Sequence, residues 1–190
     1  MKRQKILFVA HYILNTASKV VMFNAEEMAA EETLRRRFVR EALDAGIQLV
    51  QLPCPEFTLY GARRWGHTAD QFDNPFFRQH CEKLLEPALQ EAAEYLQNPG
   101  RFEVLGFLGV DGSPSCGVKY TCKGRWGGNL RDREDLDQVI GAAELSEGYG
   151  VLFDTVVSML RQRGMSLPLE GLFAPEPERA MELISQHSDQ

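Results

Sequence analysis

Residues 102–117 read FEVLGFLGVDGSPSCG, and this stretch decides the fold class. Its first part, residues 102–110, is almost continuously apolar, which predicts a strand buried on both faces of a parallel sheet. The Asp-Gly-Ser-Pro-Ser-Cys-Gly segment that follows predicts a tight turn carrying Cys116. Open α/β sheets bind their ligands at the carboxyl ends of the strands. The stretch therefore predicts a buried strand that delivers a thiol to such an edge.

Two earlier apolar segments repeat this pattern. Residues 6–10 predict a first buried strand, and residues 47–52 predict a second. A Leu-Pro-Cys-Pro-Glu sequence ends the second strand, because prolines lack the amide hydrogen that a ladder needs. Cys54 and Glu56 are therefore expected in a stiff turn. Since the strands are parallel, Cys54 and Cys116 are expected at the same edge, where two distant parts of the chain build one site.

Helical segments separate the predicted strands. Apolar residues recur at helical spacing in residues 25–45 and in residues 75–97, where Pro87 is expected to kink or divide the helix. A third helix is predicted at 151–162, a strand at 169–174 and a terminal helix from Glu176. The alternation predicts a single three-layer α/β domain over residues 1–190, Rossmann-like or flavodoxin-like, with helices on both faces of a parallel sheet. Residues 119–135 predict a loop, whose segment 124–128 is a candidate lid.

Composition excludes several classes of protein. The chain has 190 residues, with 21 basic and 27 acidic side chains and a net charge of -6, which argues against a nucleic-acid polymer as partner. Its 4 cysteines are too few for a disulfide scaffold and favour reduced thiols in the cytoplasm. No apolar run approaches the roughly 18 residues of a membrane span. A small-molecule substrate is the expected partner, and the sequence predicts no oligomeric state.

The cysteines are the candidate metal ligands. Thiolates select zinc, copper(I) or iron-sulfur clusters, and Cys54 and Cys116 are the two thiols expected at the sheet edge. Cys122 follows in the predicted loop, where it is a third soft ligand, a spare thiol or a residue without a role. Cys81 lies inside a helical pattern, which favours simple packing in the core.

Other polar and aromatic residues are candidates for the same site, each with a structural alternative. Glu56 is a candidate general acid or base, or else a solvated carboxylate. Ser113 is placed to bond a substrate, or to cap its own turn. Arg64 and Trp65 suggest a cation and a stacking surface for a planar heterocycle, or a plain surface loop. His11, at the end of the first strand, is a candidate for metal binding or proton transfer, or for a local hydrogen bond.

Four blocks, in this order and spacing, resemble the signature of the thiouracil desulfidase family, and most closely its branch of related desulfidases of unassigned function. They are HYILN at 11–15, CPE at 54–56, RWG at 64–66 and GSPSCG at 112–117. The match runs from the first strand through at least Val118. The resemblance implies an enzyme that carries a [4Fe-4S] cluster on three cysteines. Its free iron would take sulfur from a thiolated nucleobase or a similar thiocarbonyl compound, without redox chemistry.

Site residues follow from the resemblance by position. Cys54 and Cys116 resemble two of the cluster ligands. Glu56 and Ser113 resemble the residues that handle protons and position the substrate. His11, Tyr12, Arg64 and Trp65, which lie in two of the matching blocks, are expected to bind the substrate.

The chain departs from the family at the first ligand, where Tyr12 stands in place of a cysteine. A phenol is a hard ligand that replaces a thiolate poorly. Either His11 or Cys122 supplies the third ligand, or the cluster is bound differently, or it has been lost. A protein that has lost the cluster would be a binding protein without catalysis, and a zinc or redox protein using Cys54 and Cys116 is a further alternative.

Overall fold

A computed structural model describes residues 2–125 and 127–187 of the chain. The strands in this part are β1 (Gln4–Val9), β2 (Ile47–Gln51), β3 (Phe102–Val110), β4 (Tyr120–Lys123), β5 (Glu144–Glu147) and β6 (Leu169–Leu172). Four of them form a parallel sheet in the order β2-β1-β3-β6, and β4 and β5 form a separate antiparallel ribbon. The predicted parallel sheet is confirmed.

The helices in the described part are α1 (His11–Leu14), α2 (Ala25–Asp44), α3 (Pro55–Tyr60), α4 (Ala69–Phe72), α5 (Pro75–Gln97), α6 (Leu136–Gly141), α7 (Val151–Gln162) and α8 (Pro177–Ser185). A short 3-10 helix, Thr16–Ser18, follows α1. Within residues 2–125 and 127–187, no helix combines the length and the apolar character that crossing a membrane requires.

Strand order explains how the helices cover the sheet. The chain moves from β1 to β2, then back across β1 to β3 and on to β6. Because such crossovers are right-handed, this reversal places α2 on one face and α5 and α7 on the other. In agreement, α5 packs against α7 and α2 packs against α8. The sheet's switch point lies between β1 and β3, where open α/β sheets have their ligand crevice. The chain is an α/β domain, as predicted.

The prediction of a stiff turn around Cys54 and Glu56 is wrong. The residues after Cys54 form the helix α3, with Pro55 in its first turn. Proline ends a strand because it lacks an amide hydrogen, but the first turn of a helix does not use that hydrogen. Glu56 therefore projects from a helix that starts at the sheet edge.

Pro87 was expected to kink or divide the second long helix, and division is wrong. The helix α5 runs continuously from Pro75 to Gln97 with Pro87 inside it. Its buried face continues on both sides of the proline, with Cys81 and Leu85 before it and Leu89 after it. Packing of this continuous apolar face stabilises the helix beyond what one missing hydrogen bond costs.

The loop predicted at 119–135 contains regular structure. The strand β4 occupies Tyr120–Lys123 and pairs with β5, which the sequence did not reveal because both strands are short and largely polar. Gly124 follows directly, and its amide and carbonyl are bound by Asp70 and Thr68. The candidate lid at 124–128 includes Trp126, which lies outside the described residues.

Candidate functional site

Cys54 and Cys116 follow β2 and β3 and lie near each other at the carboxyl edge of the sheet. Burial raises the pKa of the Cys116 thiol, and the neighbouring Cys54 thiol and the Glu56 carboxylate raise it further. Burial is also the main cause that raises the pKa of Cys54. Both groups therefore favour the neutral thiol in the protein alone. We call Cys54, Glu56, Arg64, Ser115 and Cys116 the cysteine edge.

A buried ion pair forms the centre of the cysteine edge. The Arg64 Nε donates to Glu56 Oε2 at 3.2 Å, and the two side chains are only 3% and 10% exposed. The same guanidinium donates to the carbonyl oxygens of Ser18 at 2.6 Å and Gly61 at 3.3 Å. Arg64 thus ties α3 to the segment after β1. Its guanidinium pairs with Glu56, so Arg64 is not the free cation beside Trp65 that the sequence suggested.

Ser115 joins the Cys116 turn to the helix α3. Its hydroxyl donates to Glu56 Oε1 at 2.5 Å, although the two residues are 59 positions apart. The Ser115 Oγ also lies 3.5 Å from the Cys116 Sγ. The sequence did not single out Ser115, because no local spacing marks a partner in another turn. The only sequence feature that pointed to Ser115 was its position directly before Cys116.

Ser113 has a different role from Ser115 in the described contacts. Its Oγ accepts the backbone amides of Cys116 at 3.0 Å and Ser115 at 3.4 Å. This is the turn-capping arrangement that serines in such turns adopt. Ser113 therefore holds the backbone shape that presents Cys116, and its hydroxyl also lies 3.4 Å from the Ser115 hydroxyl.

Asp111 fixes the segment that follows the cysteine turn. Its Oδ1 accepts the amides of Val118 at 2.8 Å, Lys119 at 2.9 Å and Tyr120 at 3.2 Å. Its Oδ2 accepts from Arg179 of α8 at 2.9 Å. The Asp111 side chain is fully buried. The carboxylate therefore anchors the turn to the terminal helix, a contact between distant segments that the sequence did not indicate.

The turn that carries Cys116 is also hydrogen-bonded to the start of α7. The amides of Gly150, Val151 and Leu152 donate to carbonyl oxygens of residues 117, 114 and 115, at 2.9, 3.1 and 2.9 Å. These bonds satisfy amides that the first turn of a helix leaves without partners. A Cβ added at Gly150 would meet the Ser115 carbonyl carbon at 2.5 Å, so the close approach requires glycine.

Cys54 caps α3. Its Sγ accepts the Phe57 amide at 3.4 Å, in the manner of the oxygen atoms that usually cap helices. The residue is neither sealed in the core nor fully exposed. The thiol is thus positioned by the helix that carries Glu56.

Tyr12 packs against the core and contacts Lys19 and side chains of α2. The Lys19 Nζ lies 4.5 Å from the centre of its ring, and Arg35 lies over the same ring at 5.9 Å. Burial raises the pKa of the Tyr12 hydroxyl, and a hydrogen bond with Glu31 raises it further. The phenol is therefore held as a neutral group among α2 side chains.

His11 and Cys122 were the alternatives for a third ligand. The His11 carbonyl accepts from Gln51 Nε2 at 2.8 Å, and its buried Nδ1 has no hydrogen-bond partner among the described residues. Cys122 lies on β4 opposite Leu145. Burial raises the pKa of the Cys122 thiol, and the next cause is the charge of Asp70, not that of another thiol.

These positions do not fit a cluster held by three thiolates. Within residues 2–125 and 127–187, no three His, Cys, Asp or Glu side chains are arranged to hold a metal ion. Cys54 and Cys116 interact, but the position of the resembled third ligand is the neutral phenol of Tyr12, engaged by α2.

Comparison with known proteins identifies a curated relative. The uncharacterised protein MJ0003 of Methanocaldococcus jannaschii is 33% identical to this chain over 118 residues, which cover 62% of the chain and 70% of the relative. The chain belongs to the family of that protein. No family model matches the chain, and no solved structure matches it.

Proposed function

We propose that this member of the MJ0003 family binds a small thiocarbonyl compound, such as a thiolated nucleobase, at the cysteine edge. Binding would not depend on a three-cysteine cluster. The observation that carries the proposal is the bond between Ser115 and Glu56, which joins the Cys116 turn to the helix that Cys54 caps, around one buried carboxylate. A ligand beside it would meet two soft thiols and a strong hydrogen-bond acceptor.

The chemistry of these groups suits a thioamide. Cys54 and Cys116 offer polarisable sulfur atoms for contact with a ligand sulfur. The Glu56 carboxylate accepts hydrogen bonds, and those to a charged acceptor are stronger than neutral ones. A thioamide presents a sulfur atom next to an N–H group, so its sulfur would contact the two thiols while its N–H group donates to the Glu56 carboxylate. Arg64 balances the buried carboxylate, which would otherwise be costly to desolvate.

A cluster-dependent desulfidase is the second candidate. The meeting of Cys54 and Cys116 at one edge favours it, because two of the resembled ligands would then be in place. Tyr12 argues against it, because a neutral phenol stands where the resembled family has a thiolate. The two candidates differ in iron content and in whether the ligand is consumed.

The test is anaerobic purification followed by iron and sulfide analysis and titration with 2-thiouracil. After reconstitution, the wild-type protein is expected to hold far less than one cluster per chain and to bind 2-thiouracil without releasing sulfide. The matched variant is Tyr12→Cys, which restores the resembled cysteine and is expected to take up about four iron atoms per chain.

Two outcomes would contradict the proposal. A wild-type protein that loads as much iron and sulfide as Tyr12→Cys would support the cluster-dependent desulfidase instead. If the wild-type protein fails to bind 2-thiouracil, thiocarbonyl compounds are excluded as its ligand class. Replacing Cys54 by alanine in the Tyr12→Cys variant serves as a control, because iron loading should then be lost.

A further inference from the structure

The helix α3 carries an exposed aromatic ring close to the cysteine edge. Tyr60 lies four residues after Glu56, so the two side chains occupy the same side of the helix. Tyr60 is 43% exposed, whereas Glu56 is buried. Burial raises the pKa of the Tyr60 hydroxyl, and the Glu56 charge raises it further. The ring is therefore near the carboxylate and still open to solvent.

Other rings fix the orientation of Tyr60. Its ring lies 5.1 Å from that of His67, at an interplanar angle of 20°, and 6.0 Å from that of Phe72, at 15°. Phe72 in turn stacks on the buried Phe77 at 4.3 Å and 3°. Nearly parallel rings thus extend from the core to the surface. This packing limits the rotation of Tyr60, so little conformational entropy would be lost when a ligand contacts it.

We propose that the exposed part of the Tyr60 ring is the surface on which a flat, conjugated thiocarbonyl ring stacks at the cysteine edge. Tyr60 would then determine specificity, selecting planar ligands over puckered ones. The inference rests on the proposed function, since it assigns a residue to the same site. It does not involve Trp65, which is 73% exposed and has no ring contact among the described residues.

The argument for selectivity is geometric. A planar ring contacts an aromatic face over its whole area, and such stacking is worth enough to change affinity about tenfold. A puckered ring with the same thiocarbonyl group keeps its polar contacts but loses much of the stacked area. Tyr60 should therefore contribute to the binding of one ligand and little to the binding of the other.

The test is calorimetric titration with 2-thiouracil and with 5,6-dihydro-2-thiouracil, whose ring is puckered. The wild-type protein should bind 2-thiouracil more tightly. Tyr60→Leu should weaken 2-thiouracil binding about tenfold and leave the dihydro compound within roughly twofold. Tyr60→Phe, which keeps the ring, should behave as wild type. Phe76→Leu removes an exposed ring that makes no described stacking contact, and it is the matched control.

The outcomes separate this inference from the proposed function. If the wild-type protein binds neither compound, the proposed function fails and the inference fails with it. If 2-thiouracil binds but Tyr60→Leu leaves its affinity unchanged, or weakens both ligands equally, only the role of Tyr60 is overturned. Thermal unfolding of each variant identifies a general loss of structure, and Tyr60→Phe supplies a folded comparison in that case.

Discussion

Glu56→Ala is expected to lower the free energy of unfolding by about 3–5 kcal/mol, which is the cost of leaving one member of a buried ion pair uncompensated. Arg64 would remain buried with only the carbonyl oxygens of Ser18 and Gly61 as acceptors. The Ser115 hydroxyl would lose its acceptor as well. Urea unfolding at neutral pH measures the change.

An exposed ion pair on α2 provides the matched control. Arg37 and Glu41 are 54% and 40% exposed, so Glu41→Ala should change stability by only about 0.5 kcal/mol or less. The double variant Glu56→Ala, Arg64→Ala should lose less than the sum of its two single variants, because neither charge is then left alone. Equal effects of Glu56→Ala and Glu41→Ala would contradict the buried ion pair.

Gly150→Ala is expected to destabilise the protein by about 2–3 kcal/mol and to displace the turn that carries Cys116. The added Cβ would lie 2.5 Å from the Ser115 carbonyl carbon and 2.8 Å from the Gly117 amide nitrogen. Both are backbone atoms that the hydrogen bonds to α7 hold in place. The turn must therefore move away from the helix, and ligand binding at the cysteine edge should weaken with it.

Gly100→Ala is the control for this steric argument. A Cβ there meets nothing within 4 Å, and its φ lies outside the left-handed region. Alanine should therefore be neutral or slightly stabilising at this position, since it restricts the unfolded chain. Urea unfolding and titration with 2-thiouracil compare the two variants. A Gly150→Ala protein that matches Gly100→Ala in both measurements would show that the close approach is absent.

The parallel sheet could be predicted because its strands carry a strong local signal. The run at Phe102–Val110 is apolar apart from Glu103, and the helix at Val151–Gln162 has helical spacing, so hydrophobicity and periodicity alone mark both. The ribbon of β4 and β5 has neither feature. Pro55 illustrates a second limit of prediction from sequence, because a proline after a strand is compatible both with a turn and with the first turn of a helix.

The site was predicted only in part, since its position follows from topology but its contacts depend on tertiary packing. Cys54 and Cys116 follow β2 and β3, which lie on either side of β1 in the same parallel sheet, so strand direction alone predicts their common edge. The bonds from Ser115 to Glu56 and from Arg179 to Asp111 join segments 59 and 68 residues apart. No periodicity in the chain encodes such partners. Aromatic packing around Tyr60 depends in the same way on where α3, α4 and α5 meet.

The most direct test of the central claim, that Cys54 and Cys116 face one ligand site, is protection of the thiols from alkylation. Wild-type protein is treated with iodoacetamide with and without 2-thiouracil, and peptide mass spectrometry follows Cys54, Cys116 and Cys122 separately. At a ligand concentration roughly ten times its Kd, Cys54 and Cys116 should react about tenfold more slowly, while Cys122 keeps its rate. Unprotected Cys54 and Cys116, or equal slowing of Cys122, would contradict the account.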